Sequence, residues 1–257
     1  MTRLALALLT VVLAAACSSE PPAGSANATA PAAQEQAAPQ AAAPDPAPRA
    51  EAEPTRVAQA RPQPADTGRF VAGQHYRVLN PAQPTNVPPG KVEVVDVFWY
   101  GCGGCYMMYP YMERWKENKP EAAEYVQLPA TLNAGWQPHA RLFFATEALG
   151  ISDRTHSAIF HEYHVNRNPL NTLDSMIEFL GRFDVSPEDA RDALTGFAAD
   201  SKLRAADVRA RRFQLSFVPV FVVNGKYVVG VEQAGGPDEV LEVIDYLVAR
   251  EAGARPN

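Results

Sequence analysis

Two cysteines with two glycines between them follow directly after a strongly apolar stretch of the chain. That stretch, Lys91–Tyr100 (KVEVVDVFWY), is rich in β-branched and aromatic residues and comes after the turn sequence PPG at positions 88–90. Because it is apolar almost without interruption, it predicts a central strand covered on both faces. The run after Cys105, YMMYPYMERWKEN, predicts a helix with a kink at Pro110. The sequence therefore places the cysteines at a strand-to-helix junction of an α/β fold.

The position of Cys102 at the start of a helix predicts a reactive thiol. The first helical turn presents unpaired backbone N–H groups and the positive end of the helix dipole, which lower a thiol's pKa below its free value of about 8.5. The thiolate is the nucleophile in disulfide exchange. Cys105 lies one turn further along, so we expect it to be more buried and to act as the resolving thiol. Gly103 and Gly104 have no side chains that would shield the first sulfur or donate to it.

A C-x-x-C pair also allows two other interpretations, half of a zinc site or an inert disulfide. A closed zinc site needs two further ligands, and the histidines at 156, 161 and 164 lie far away in the sequence. We interpret His161 and His164, which would share a helix face, as exposed polar residues. A disulfide between Cys102 and Cys105 closes a very short loop and would add little stability. We therefore predict a redox-active pair, with no metal and no other cofactor.

The start of the chain predicts export. Residues 1–16, MTRLALALLTVVLAAA, place Arg3 before an apolar run too short for a mature membrane span, which is typical of a signal peptide. The residues before Cys17 resemble the lipobox of bacterial lipoproteins, although Ala14 stands where a larger residue is usual, and AAA at 14–16 equally suits ordinary cleavage. Residues 17–69, rich in Ala and Pro, predict a disordered tether. Because a tether needs an attachment point, we predict lipidation of Cys17.

The rest of the chain is long enough for a single domain with one substantial core. A second strand is predicted at Ala123–Leu128, and helices follow, one of them capped at Ser186. The arginines in RARR at 209–212 are interpreted as a solvated helix end. The formal net charge of −6 argues against nucleic acid as a partner. The domain is predicted to comprise a first part with the cysteines, a helical insertion and a second part, at residues 70–136, 137–214 and 215–257.

Pro219 lies at the start of the second strongly apolar segment, Val218–Tyr227 (VPVFVVNGKY). The Asn-Gly pair at 224–225 predicts a hairpin turn into a further strand, Tyr227–Val231, and a final helix is predicted at Pro237–Arg250. Proline is normally excluded from central strands, so a proline at the start of one indicates a special backbone geometry. A cis Val218–Pro219 peptide bond would supply it.

Several of these segments resemble a known family. VFWYGCGGC and the helix after it resemble the active site of thioredoxin-like proteins. QPHARLFFATEALG, HVNRNPLN and VPVFVVNGKY resemble the DsbA family of periplasmic disulfide oxidases, in the same order and at similar spacing. The resemblance covers residues from about Phe70 to Arg250. It implies an α/β, thioredoxin-like fold with an inserted helical domain.

The resemblance also implies roles for individual residues. Cys102 would be the attacking cysteine, Cys105 the resolving cysteine, and Pro219 a cis-proline facing them. Val218 would offer its backbone to extended substrate peptides. Asp96 stands where the family often has a buried acid, which would have a raised pKa and could relay the proton of the resolving cysteine; a solvated aspartate at a strand end is the alternative.

Two positions depart from the family pattern. The family's dipeptide is commonly Pro-His, and its histidine helps to hold the thiolate, whereas this chain has Gly103-Gly104. We therefore expect a milder oxidant than DsbA at about −120 mV. Tyr109 stands where related sequences tend to have an acid near the active site. Both departures concern the strength of the oxidant and leave the class of chemistry intact.

The function implied by the resemblance is that of a periplasmic, lipid-tethered thiol:disulfide oxidoreductase. It would donate the Cys102–Cys105 disulfide to reduced, unfolded secreted proteins and be re-oxidised by a DsbB-like membrane oxidase, touching the membrane only through the lipid. Trp99, Tyr100 and Phe217 are predicted to form an apolar patch for unfolded substrates, with ordinary core positions as the alternative.

Two other functions stay open. One is a reductase or isomerase kept reduced by a membrane electron donor. The other is a non-catalytic lipoprotein that binds metal or peptide, with the dithiol as a metal clip. The second function needs further soft ligands, and the candidates Met107 and Met108 are interpreted as helix packing residues.

Overall fold

The computed structural model describes residues 68–253. The predicted signal peptide at 1–16, Cys17 and the tether up to residue 67 lie outside the described residues and stay predictions. Within residues 68–253, no helix combines the length and the apolarity needed to cross a membrane.

A five-stranded sheet forms the centre of the fold, and its strands are β1 Arg77–Val78, β2 Val92–Phe98, β3 Ala123–Pro129, β4 Val220–Val223 and β5 Tyr227–Gly230. Their order in the sheet is β1-β5-β4-β2-β3. The strand predicted from the apolar run is β2, and every residue in it is buried, as expected for a strand covered on both faces. β2 pairs in parallel with β3 and antiparallel with β4, and β5 pairs antiparallel with both β4 and β1.

Helix α1, Gly103–Asn118, connects the parallel strands β2 and β3, as a parallel pair requires. It continues through Pro110 and carries Met108 and Met112 into the core on one face of the sheet. Helix α8, Pro237–Gly253, packs into the same core. The first turn of α1 therefore follows directly from the end of the central strand, with Cys102 at the junction.

The segment between β3 and β4 is helical, as the sequence predicts. Ser186 caps α5 by accepting a hydrogen bond from the Asp189 backbone N–H at 3.1 Å. Side chains from α2 and α3 pack on the other face of the sheet. The helices of this insertion are α2 Gln137–Ala148, α3 Ser152–His164, α4 Leu173–Gly181, α5 Pro187–Thr195 and α6 Phe197–Arg212, after a 3-10 turn at Ala134–Trp136. The predicted thioredoxin-like fold with an inserted helical domain is confirmed.

Three details differ from the sequence-based expectations. The short edge strand β1 was not predicted, because two residues carry no periodic signal. Strand β5 ends at Gly230, since Val231 begins the one-turn helix α7, Val231–Ala234. Arg209 is not part of a solvated helix end, because its guanidinium pairs with the fully buried Glu93 carboxylate of β2 at 2.5 Å.

Candidate active site

Cys102 is the residue that caps helix α1. Its backbone is extended, with φ −86° and ψ 117°, and its sulfur accepts a hydrogen bond from the Cys105 backbone N–H at 3.1 Å. Side-chain oxygens of Ser, Thr, Asp or Asn usually take this place. A thiolate can satisfy the same N–H groups, so the local structure favours the charged form of Cys102. Both cysteines are free thiols in the structure.

The pKa of the Cys102 thiol is lowered to about 7. The largest cause is a hydrogen bond from the Cys105 thiol, and the backbone N–H groups of Cys105 and Gly104 act in the same direction, while burial opposes them. Cys102 is half-buried, so its sulfur remains within reach of a partner in solution. The predicted reactive thiolate therefore has a geometric basis.

Cys105 has the opposite character. It is buried, with 3% of its surface exposed. Burial raises the pKa of its thiol far above the usual range, and the hydrogen bond to Cys102, the charge on Cys102 and, least, the charge on Asp96 raise it further. The two sulfurs thus differ strongly in acidity and access, which matches the predicted division into an attacking and a resolving thiol.

The segment at Val218-Pro219 faces the cysteines from the opposite side. The Val218–Pro219 peptide bond is cis, as predicted, and the Val218 carbonyl accepts a hydrogen bond from the Cys102 thiol at 3.6 Å. A Cβ added at Gly104 would lie 3.1 Å from Pro219 Cδ and 3.8 Å from Cys102 Sγ. Gly104 therefore leaves the proline and the sulfur close together, with no side chain between them.

Asp96 lies in the middle of β2 and is buried, with 8% of its surface exposed. The Tyr125 hydroxyl donates a hydrogen bond to its Oδ2 at 2.7 Å. Burial raises the pKa of the Asp96 carboxyl to about 6, against the lowering effect of Tyr125 and of the Lys116 charge. The alternative of a solvated strand-end aspartate is excluded. A role of Asp96 in proton transfer stays a prediction.

An apolar groove of about 720 Å³ begins at Gly104 and Pro219. It runs between the start of α1 and the segment that leads into α8, and its lining residues are Gly104, Met107, Met108, Tyr111, Pro219, Val231, Glu232, Gly235, Gly236 and Pro237. Met107 is 67% exposed, so it is a surface residue rather than the helix packing residue expected, whereas Met108 is buried. Phe217 is 56% exposed and lies against Gly230, immediately before Val231 of the groove.

The other two residues of the predicted apolar patch behave differently. Tyr100 is fully buried, and its hydroxyl forms a hydrogen bond of 2.8 Å with His156 Nδ1, so its side chain cannot belong to an exposed patch. Trp99 is half-buried, and its indole stacks on Trp136 with 4.5 Å between ring centroids. Of the three predicted residues, Phe217 alone has a largely exposed ring.

His164 is partly buried, whereas the sequence predicts an exposed residue. Its Nε2 lies 2.9 Å from the Tyr100 carbonyl oxygen and its ring stacks on Tyr106. A signal existed, because His156, Phe160 and His164 recur every four residues and so share one helix face. His161, on another face, is exposed as expected.

Among residues 68–253, no group of three or more His, Cys, Asp or Glu side chains is arranged to hold a metal ion.

A dithiol at the first turn of the helix after the central strand, opposite a cis-proline that opens an antiparallel strand, defines the class of thioredoxin-like dithiol–disulfide proteins. Residues 93–237 match the family described as DSBA-like thioredoxin domain. The chain belongs to this DsbA-like thioredoxin family.

Individual relatives agree with this assignment. The chain is 37% identical over 204 residues to the thiol:disulfide interchange protein DsbA of Azotobacter vinelandii, covering 74% of this chain and 95% of that protein. The crystal structure of Pseudomonas aeruginosa DsbA superposes with a TM-score of 0.69 at 36% identity, over 72% of this chain and 96% of that one. The Xylella fastidiosa DsbA structure gives a TM-score of 0.68 at 28% identity, with 72% and 99% covered. These similarities do not favour the metal-binding or isomerase alternatives.

Proposed function

We propose that this protein is a thiol:disulfide oxidoreductase that donates its Cys102–Cys105 disulfide to reduced, unfolded exported proteins. The observation that carries the proposal is the asymmetry of the two sulfurs. Cys102 is half-exposed with a lowered pKa, and Cys105 is buried with a raised pKa. A sulfur that is stable as a thiolate is a good leaving group, so a mixed disulfide through Cys102 is easily released.

The reaction transfers two electrons from the substrate to the protein. A substrate thiolate attacks Cys102 Sγ, the new intermolecular S–S bond forms, and Cys105 leaves with the electron pair of the broken disulfide. A second substrate thiolate then attacks the substrate sulfur of the mixed disulfide, and Cys102 leaves as a thiolate. The substrate gains a disulfide and the protein becomes the dithiol.

Asp96 is the proposed proton partner of Cys105. Because the pKa of the Cys105 thiol is raised, the departing sulfur must take up a proton. Asp96 is buried, its pKa of about 6 keeps part of it protonated near neutral pH, and its charge acts on Cys105. A carboxyl with these properties can supply that proton, and can accept it again when the disulfide re-forms.

The substrate chain is proposed to lie beside Pro219. The Val218 carbonyl, which accepts from the Cys102 thiol in the dithiol form, lies beside the reacting sulfur and would accept a hydrogen bond from a substrate N–H. The apolar groove next to Gly104 and the exposed ring of Phe217 offer burial to apolar side chains of an unfolded protein. Trp99 is half-buried against Gly101, so it would support the cysteine loop rather than contact the substrate.

The N-terminal sequence and the family support a proposal for the compartment and the partners of this protein. The signal peptide at 1–16 would export the chain to the periplasm, and lipidation of Cys17 would hold it at a membrane through the tether. A DsbB-like membrane oxidase would accept the electrons of the dithiol. Without such an acceptor, each molecule could oxidise only one pair of substrate thiols to a disulfide.

A single-turnover transfer assay tests the proposed reaction. The oxidised protein is mixed with an unfolded, reduced protein that forms one disulfide, and both products are counted after acid quenching. One substrate disulfide should form for each Cys102–Cys105 disulfide consumed, and the Cys105→Ser variant, supplied as a mixed disulfide with glutathione at Cys102, should accumulate substrate bound through Cys102. The Cys102→Ser variant is the control. No transfer above that control would reject the proposal.

A further inference from the structure

His164 lies where the helical insertion meets the cysteine loop. It is the last residue of α3, and its Nε2 is 2.9 Å from the Tyr100 carbonyl oxygen. Since a carbonyl oxygen only accepts, the hydrogen must be on Nε2 and His164 must donate. The insertion thus supplies a hydrogen-bond donor to the backbone two residues before Cys102.

The ring of His164 also contacts the chain on the far side of the cysteines. It stacks on Tyr106 with the ring centroids 4.7 Å apart and the planes inclined by 7°. Tyr106 follows Cys105 directly, and its backbone N–H donates to the Cys102 carbonyl at 3.0 Å. One side chain therefore touches the residues on both sides of the reactive loop.

Tyr100 is held at its other end as well. Its hydroxyl forms a hydrogen bond with His156. His156 and His164 lie on the same face of α3. The backbone connects Tyr100 to the cysteine loop directly, because the Cys102 N–H donates to the Trp99 carbonyl at 2.9 Å. If the donor of His164 is lost, the Tyr100 carbonyl loses that partner while the hydroxyl keeps its own, so the backbone between Tyr100 and Cys102 becomes freer to move.

We propose that His164 is a positioning residue for disulfide exchange, which holds the loop so that the Cys102 sulfur meets the N–H groups at the start of α1. The inference rests on the proposed function for its biological meaning. In physical terms, the contacts of His164 determine how strongly the dithiol form of Cys102 and Cys105 is stabilised. This role differs from that of a catalytic residue, since His164 acts through Tyr100 and Tyr106.

The test compares two variants of similar size. His164→Gln keeps an N–H donor, whereas His164→Met fills the space without one, and His161→Met on the exposed face of the same helix is the control. We expect His164→Met to lower the equilibrium constant for reduction of the pair by glutathione by about threefold to tenfold, the effect of one net hydrogen bond. The pH of half-ionisation of Cys102, followed by thiolate absorbance, should rise. His164→Gln should restore most of both values.

A merely structural role would give another result. His164→Met would then lower the unfolding free energies of the oxidised and reduced protein equally, and the glutathione equilibrium and the Cys102 titration would not move; that result overturns the proposal. Should His164→Met fail to fold, Tyr106→Leu, which removes the stacking partner, must shift both readouts in the same direction, and unchanged readouts would overturn the proposal equally. If the wild-type protein failed to oxidise substrate thiols, the proposed function would be rejected. The differences between the variants in glutathione equilibrium and Cys102 titration would still test the role of His164.

Discussion

The Cys105 backbone N–H donates to Cys102 Sγ across 3.1 Å, so the buried cysteine helps to stabilise the charge on the exposed one. This contact is available to a free thiolate and is worth less once the sulfur belongs to a disulfide. The fold therefore favours the dithiol form, and a protein that favours its dithiol form is an oxidant towards other thiols.

The thiolate of Cys102 should make the stability of the reduced protein depend on pH. The pKa is about 7 in the folded protein and about 8.5 in an unfolded chain, so the stabilisation is present above 8.5 and is lost as the pH falls through 7. From pH 6 to pH 8 the reduced wild-type protein should gain about 1 kcal/mol in unfolding free energy over reduced Cys102→Ser, after a discount for solvent screening. Urea unfolding at several pH values measures this difference. A difference that stays flat across that range would contradict the lowered pKa.

Gly104→His should make the protein a stronger oxidant. The added side chain would start 3.8 Å from Cys102 Sγ and could donate to the thiolate, which Gly104 cannot do. A hydrogen bond of ordinary net strength corresponds to a rise of about 10–30 mV in the reduction potential. Equilibration with glutathione buffers measures it.

Gly104→Ala is the matched control, because its Cβ meets Pro219 Cδ at the same 3.1 Å without adding a donor. If both variants shift the potential alike, contact with Pro219 and not the donor is responsible.

Asp96→Asn should stabilise the reduced protein at high pH only. The folded pKa of about 6 lies above the unfolded value of 3.8, so the folded state binds more protons and the buried charge costs stability as the pH rises through this window. The full cost above pH 6 is about 3 kcal/mol. We expect a gain of about 1–3 kcal/mol at pH 8 and little change at pH 4, measured by denaturant unfolding. The exposed Asp192→Asn serves as control, and an equal effect of Asp96→Asn at both pH values would refute the raised pKa.

Phe217→Ser should weaken the binding of unfolded substrates without altering the redox pair. Loss of about 1 kcal/mol of apolar burial corresponds to a rise of about fivefold in KM for a reduced, unfolded protein, with the glutathione equilibrium unchanged. Phe197→Ser is the matched control, since Phe197 is a still more exposed phenylalanine at the start of α6. Equal effects of the two substitutions would show that Phe217 has no special role in docking.

The parts of the fold that the sequence predicted are those with strong local patterns. The continuous apolarity of β2, the Asn-Gly turn before β5 and the cap at Ser186 each act within a few residues. Strand β1 forms because its two residues pair with β5 in the folded sheet. No local sequence pattern predicts that pairing. The ion pair between Arg209 and Glu93 likewise depends on how α6 lies against β2.

The same distinction applies to the site. The positions of Cys102, Cys105 and Pro219 follow from short motifs, and the structure brings all three together. The spacing of His164 from His156 and Phe160 could have indicated its helix face, but its contact with Tyr100 could not be predicted, because that contact forms only where the insertion meets the cysteine loop.

The reduction potential of the Cys102–Cys105 pair is the most direct test of the central claim. It is measured by equilibrating the purified protein with glutathione buffers and quantifying the dithiol form. Membership of the DsbA-like family predicts a value above that of thioredoxin, about −270 mV. The pKa of Cys102, which at about 7 is no lower than that of thioredoxin, and the absence of a donor at Gly104 predict a value well below about −120 mV. A potential at or below −270 mV would contradict the assignment as a disulfide donor and indicate a reductase.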